Sequence, residues 1–441
     1  MAPATIPGPT GPDMLRGIRQ MRSSPPEFLA ACSARFGPVV QFPIPRAMAV
    51  YLADPDDVRH VLQRNHTNYV KDTVQYSSLA LVTGSGLLTS DGDVWRKMRR
   101  IQQPAFHTEM VGRVRSAVER SISALRVKVK DSGTLTATLD ELMLEISLDV
   151  VGAALFGGQF GSKGKALVSA VSGALHVVVR RAQQPLRLPG WLPTPSQQRL
   201  DKSLRSIDAA VSDLVGRHRG EGDAASVLGL LVQARADGLI SDKQVRDEVV
   251  TLIVAGHETV AATLTWTWLL LTAHPMVMVA VQEEVDALPP SARVDDGLDG
   301  LGFTKAVVNE CLRLYPPAWV ISRRSSGKDQ LGGHQIPAGA TVITSPYALH
   351  RDPDLWPDPL AFRPERFLED VLDRSVYLPF GAGPRLCIGR EMALYEVPLV
   401  LVSLMREFAV DVRPHGPIGK DFGVTLRPDA AVPVRITLRA V

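Results

Sequence analysis

A chain of 441 residues with 45% hydrophobic and 22% charged side chains has the composition of an ordinary globular protein, and it is long enough for two or three average domains or one large one. The net charge of +3 is too small for bulk nucleic-acid binding, so any basic function must be a local patch. Three cysteines, Cys32, Cys311 and Cys387, are odd in number and far apart, which excludes a disulfide framework and suits a reducing cytoplasm.

In chain order, Met1 to Pro9 has neither the basic n-region nor the apolar h-region of a secretory signal, and residues 1–30 read as a Pro-rich segment on the surface. Val39 to Phe42 and Ala47 to Leu52, flanking Pro43 to Arg46, predict a β-hairpin. A helix is expected from about Pro55 to Arg64. Asp72 to Thr89, with Gly84 and Gly86, reads as a long loop of the kind that is often functional. Helical patterns follow over Val94 to Arg100, Glu109 to Lys130, Leu139 to Leu155 and Ala166 to Arg181, and the proline-dense Pro185 to Pro193 interrupts them. Ser241 and Gln244 form a capping box, and the apolar period then continues to Ala273, stopped by Pro275. That predicts a helix of about 32 residues, or ~48 Å, which must cross the molecule. Its apolar stretch Val249 to Ala273 is long enough to span a membrane. However, it carries His257 and Glu258 near its centre, where unpaired charge in lipid is costly, so a buried helix and no membrane anchor are expected. Helices over Val277 to Ala287 and Lys305 to Leu314, strands near Gln335 and Thr341 to Thr344, a helix from Ile388 to Glu407, and a strand pair around Val424 to Leu426 and Val432 to Leu438 complete the pattern.

The stretch Phe380-Gly381-Ala382-Gly383-Pro384-Arg385-Leu386-Cys387-Ile388-Gly389 puts a cysteine at the end of a glycine turn, directly before a helix. Unsatisfied amides and the helix dipole at that end favour an anion, so they favour thiolate over thiol. Read alone, a lone cysteine here is more often a buried one at an ordinary helix start. Glu310 and Arg313 make an i,i+3 pair that is by itself a common surface feature, and Pro364-Glu365-Arg366-Phe367 stands some fifty residues on. On the long helix, Ala255-Gly256-His257-Glu258-Thr259 places an acid beside a threonine, an ordinary helical pairing in which Thr bonds back to the i−4 carbonyl. His257-Glu258 also opens a zinc-protease pattern, but position 261, which needs histidine, is Ala261.

The ten-residue stretch resembles the haem-binding loop of the cytochrome P-450 family, with Phe380, Gly383, Arg385, Cys387 and Gly389 at the family's spacing. The resemblance implies a mainly α fold with small β-sheets, the triangular cytochrome P-450 fold with a long central helix over the haem, as one haem domain over 1–441. It implies Cys387 as axial ligand of haem b (iron protoporphyrin IX), Phe380 as the ring shielding the sulfur, and Ile388 and Gly389 as amide donors to it. Arg385, Arg323, Trp95 and Arg99 correspond to haem propionate contacts, while Arg96, Lys97 and Arg100 point outward; Tyr69 and Lys71 are as readily an exposed pair. Thr259 and Glu258 match the groups that handle O₂ and protons, with Ala255 and Gly256 opening a groove for O₂. Glu310, Arg313 and Arg366 match a buried structural triad.

The resemblance further implies electrons from NAD(P)H through a reductase and a separate ferredoxin or flavodoxin, since no flavin domain is attached. The basic Arg96, Lys97, Arg100 and Arg390 would steer such an acidic partner. A hydrophobic small-molecule substrate would meet walls formed by Val74 to Leu88, Leu175 to Leu188, Val254, Ala318, Trp319, Val320, and the Phe422 to Thr425 hinge with Val424. A cytoplasmic monomer that binds no nucleic acid is expected. A monooxygenase acting on a terpenoid or polyketide is the leading reading. A fatty-acid hydroxylase is an alternative suggested by Glu258, where many bacterial members carry Asp. A peroxygenase or isomerase needs no acid–alcohol pair, and a non-catalytic haem binder could lose Thr259 without penalty.

Overall fold

Ser241 Oγ accepts the Gln244 amide at 3.2 Å and Gln244 Oε1 accepts the Ser241 amide at 2.9 Å. This reciprocal cap satisfies two of the helix's orphan donors and starts a 32-residue helix, Asp242–Ala273. The computed structural model describes residues 5–44, 47–158, 161–182, 194–221, 223–289, 300–369 and 374–439. Contacts divide the chain into two units.

The first unit comprises 1–73, 306–387 and 419–429. Its five-stranded sheet runs in the order Val39–Phe42, Ala49–Leu52, Thr341–Thr344, Ile321–Ser325, Tyr69–Val70. The expected hairpin is there, with Val39 opposite Leu52. The one parallel pair joins Ala49 to Thr341. Val50, Leu52, Val58, Leu62, Val342 and Leu349 pack together in one buried cluster of this unit. Two short hairpins, Asp329–Leu331 with His334–Ile336 and Lys420–Phe422 with Leu426–Pro428, complete it. Gly11–Ser23 and Pro25–Phe36, which start within the N-terminal Pro-rich segment, are helices, the first of them with no buried residue. Prolines in their first turns cost nothing, since the N–H they lack has no helical partner there, and Thr10 with Asp13 caps the first.

The second unit, 74–305, 388–418 and 430–441, holds the long helix, packed along Leu139–Phe156. The expected loop over Asp72 to Thr89 is half wrong. Val74–Thr83 is a helix that buries Tyr76, Leu79, Val82 and Thr83, a 3–4 spacing that the neighbouring serines and glycines obscured. Gly161–Ala182 is followed by two further helices not foreseen, Pro195–Glu221 and Val227–Ala236. The expected closing strand pair does not form. Leu426–Pro428 belongs to the other unit's hairpin, and Pro433–Leu438 lies between Leu135–Thr138 and Phe408–Val412. The turn at 45–46, the connection 185–193 and the wall segment 183–188 lie outside the described residues. Among the described residues Asp242–Ala273 is the one helix long and apolar enough to cross a membrane, and 78% of its most apolar window is buried.

Candidate active site

In the first unit the cysteine loop is built by backbone geometry. Gly381 and Gly383 take φ of +73° and +67°, a region side chains rarely adopt. The Cys387 amide donates to the Phe380 carbonyl at 3.1 Å and the Leu386 amide to that of Gly383 at 2.9 Å. A Cβ on Gly383 would stand 2.1 Å from the Leu62 carbonyl oxygen, so the loop sits directly on the segment His60–Arg64. Cys387 is exposed, whereas Cys32 and Cys311 are buried. Phe380 and Arg385 are half-buried.

Behind the loop lies a buried ion cluster. Arg313 clasps Glu310 with two bonds, Nε to Oε2 at 2.7 Å and Nη2 to Oε1 at 2.8 Å. Arg366 Nε reaches Glu310 Oε1 at 3.1 Å, and the Arg363 amide donates to the same oxygen at 2.9 Å. One carboxylate therefore faces two guanidiniums, and the excess donors go to carbonyls: His350, Pro359 and Ala361 for Arg313, Pro357 and Asp358 for Arg366. His350 extends this cluster to the cysteine loop. Its Nδ1–H donates to the Arg313 carbonyl at 3.0 Å and its Nε2 accepts the Leu378 amide at 2.8 Å, an arrangement that needs the neutral ring. Complete burial enforces neutrality, pushing its pKa down to about 3. Sequence reading passed over His350, although it lies on the buried turn after Pro346–Leu349.

Arg323 is buried on its strand, donating to the Ser322 carbonyl at 2.8 Å. Tyr69 is already committed: its hydroxyl donates to Asp329 at 2.6 Å. Lys71 is buried and does not form an exposed pair with it. Ala318 is exposed, while Trp319, Val320 and Val424 are half-buried. Trp319 Nε1 donates to the Gly423 carbonyl at 3.1 Å, fixing the tip of the Lys420–Pro428 hairpin.

In the second unit, Trp95 and Arg99 share the half-buried face of the helix Gly92–Gln102, and Arg96, Lys97 and Arg100 are exposed. Midway along the otherwise buried long helix, Ala255 is exposed and Glu258 and Thr259 are half-buried, while His257 and Val260 are buried. Burial lowers the pKa of His257 to about 4, so it stays neutral. Thr259 Oγ1 donates to the Ala255 carbonyl at 2.7 Å. That engages its proton and leaves the oxygen's lone pairs to accept. Ser172, not foreseen from sequence, donates to Glu258 Oε1 at 3.1 Å. Gly256 also packs closely, since a Cβ there would stand 3.1 Å from Val151 Cγ2, and Ala255 beside it is exposed. Of the expected pocket residues, Val74 is 53% exposed and Leu88 half-exposed, but Leu175 and Val254 are core residues at 3% and 4%.

These residues fit a haem. One exposed thiol is presented by a glycine loop seated on the Leu62 backbone, and among the described residues no three His, Cys, Asp or Glu side chains converge to cage a metal. A single thiolate donor of this kind suits a metal whose remaining ligands come from a group such as a porphyrin. An exposed alanine and a hydroxyl poised to accept, set in a buried helix, suit a small oxygen ligand. Each of these two sets of residues suits the chemistry of a haem-thiolate oxygenase.

Comparison with known proteins agrees. The family profile described as Cytochrome P-450 matches residues 7–430. Cyclooctatin synthase of Streptomyces melanosporofaciens is 34% identical over 403 residues, covering 87% of this chain and 85% of that protein. Pentalenene oxygenase of Streptomyces avermitilis is 30% identical over 433 residues, covering 95% and 94%. The crystal structure of CYP175A1 from Thermus thermophilus superposes with a TM-score of 0.79 at 32% identity, covering 98% of this chain and 99% of that one. The chain belongs to the cytochrome P-450 family. It is a monooxygenase, an oxidoreductase that uses O₂ with a haem-thiolate iron.

Proposed function

We propose that this enzyme inserts one oxygen atom of O₂ into a C–H or C=C bond of a hydrophobic terpenoid, a secondary metabolite. In this reading it works in the cytoplasm as a monomer, with electrons from NAD(P)H passed through a reductase and a separate ferredoxin or flavodoxin. The match over 7–430 runs through both units and supports a single haem domain over 1–441. Relatives named for cyclooctatin and pentalenene support the terpenoid class. The observation that carries the oxygenase chemistry is the exposed Ala255 with the Thr259 hydroxyl bonded to its carbonyl.

Cys387 would hold the iron, with the Ile388 and Gly389 amides donating to its sulfur and Phe380 beside it, and Trp95, Arg99, Arg323 and Arg385 would hold the propionates. Bound haem supplies O₂ activation, its thiolate favouring O–O cleavage. Thr259, its own proton engaged, accepts a hydrogen bond from a water or an O–H in the notch. Glu258, held by Ser172, helps pass protons to that position, so that the oxygen atom not inserted leaves as water. Glu310, Arg313 and Arg366 serve folding and haem retention.

Thr259→Ala is expected to cut product formation by about 10²-fold, the usual weight of a positioned proton-handling group, while NAD(P)H consumption continues and peroxide is released. Unchanged coupling would instead favour a peroxygenase or isomerase. Substrate-induced spectral shifts across terpenes, macrolides and fatty acids should appear with terpenes; shifts with fatty acids alone would overturn the terpenoid assignment.

A further inference from the structure

On the long helix two consecutive carboxylates, Asp247 and Glu248, are 2% and 1% exposed. Both accept backbone amides from the segment that follows the helix Val74–Thr83: the Ser85 amide bonds Asp247 Oδ2 at 2.9 Å and the Leu87 amide bonds Glu248 Oε2 at 3.1 Å. The segment lies so close that side chains are excluded. A Cβ on Gly84, where φ is +66°, would stand 2.1 Å from the Asp247 carboxylate, and one on Gly86 would stand 2.1 Å from Thr251 Oγ1.

The two acids are neutralised differently. Asp247 is paired with Lys243 at 2.5 Å and Arg246 at 3.3 Å, and Arg246 is itself held by Asp208 at 2.8 Å. Among the described residues Glu248 has no cation partner. It is faced by the Leu87 amide, by the neutral carboxamide of Gln102 on the helix Gly92–Gln102, and by the like charge of Asp247. Its Oε1 makes no well-formed hydrogen bond, and neither does Thr251 Oγ1 one turn on. Burial pushes its carboxyl up to about 7, with Asp247 adding the least, against the opposing pull of the nearby Gln102 carboxamide and the Leu87 amide.

We propose that Glu248 is a positioning residue for the segment Gly84 to Ser90: uncharged, it lets the segment lie closed on the long helix, and ionised, it drives the segment off, because only lifting returns water to the carboxylate. Asp247, matched by two cations, keeps its hold on Ser85, so release falls on the Leu87 side. The consequence for substrate rests on the reading above that this segment, through Leu88, borders the pocket; ligand entry then eases as pH rises. The direction follows from linkage. The closed state binds the proton more tightly than the open one, where a hydrated carboxyl titrates near its ordinary value. Each pH unit between about 4.5 and about 7 therefore disfavours closure tenfold, up to a limit of about 300-fold that is reached near pH 7 and holds above it, where both states are ionised.

The test is amide hydrogen exchange in the haem-loaded full chain from about pH 5 to about pH 9, read as protection factors over 84–90. Leu87 protection should fall about tenfold per unit from pH ~5 to pH ~7 and level off above it in the wild type, and stay flat in Glu248→Gln, which mimics the neutral acid. A flat wild-type profile, or the same slope in the variant, overturns the proposal, and the wild-type slope decides even if the variant folds poorly. The ferrous carbonyl spectrum reads the haem assignment separately, so a missing thiolate band with the slope intact would strike the proposed function alone.

Discussion

Replacing Glu310 by alanine will destabilise the protein by about 3–5 kcal/mol, the cost of leaving buried charge unpaired. Glu310 is fully buried and is the carboxylate that faces both Arg313 and Arg366. Removing it leaves two guanidiniums in a dry interior and also strips the Arg363 amide of its acceptor. Against a total stability of order 5–15 kcal/mol, the variant should lose haem on purification or fail to accumulate. Glu310→Gln keeps an acceptor for the Arg363 amide but not the charge, and should fall between. Denaturant unfolding of the three proteins checks this. An alanine variant within about 0.5 kcal/mol of wild type, the range of ordinary surface substitutions, would mean that the cluster contributes little.

Gly383→Ala will disturb the cysteine loop more than Gly381→Ala will, although both positions have positive φ. At Gly381 an added methyl meets nothing nearer than Ile321 Cδ1 at 4.0 Å, so only the backbone term of about 1–2 kcal/mol applies. At Gly383 the methyl would lie 2.1 Å from a backbone oxygen, that of Leu62, and backbone cannot rotate out of the way. The loop must move, and Cys387, four residues on and tied by its amide to Phe380, moves with it. Gly383→Ala should therefore lose haem much faster than Gly381→Ala at similar helix content. Equal haem retention would show that the close approach to Leu62 does not set the loop's position.

What could be read from sequence was local. The capping box at Ser241 and Gln244 and the stop at Pro275 placed the long helix within a residue of its ends, because caps are short-range chemistry. The glycine turn before Cys387 was readable for the same reason. Pairing over distance was not: Leu426–Pro428 and Pro433–Leu438 both look like strands, but nothing in either says that their partners are Lys420–Phe422 and Leu135–Thr138. Val74–Thr83 was lost among serines, with Gly84 and Gly86 just beyond, because its packing supplies the stability that its composition does not. In the site, Glu310, Arg313 and Arg366 could be named from motif. The link through His350 to Leu378 needed the fold, as did the hydrogen bond from Ser172 to Glu258. At Gly256 the fold adds a packing reason that the motif did not carry, the close approach of Val151.

That Cys387 is the thiolate ligand of the iron is tested most directly by the carbonyl complex of the reduced protein. The wild type should show the red-shifted band of thiolate-ligated haem, and Cys387→Ala should lose it while Cys32→Ala and Cys311→Ala keep it. A Cys387→Ala protein that retained that band, or a wild type whose iron proved to be bound through nitrogen, would contradict the assignment.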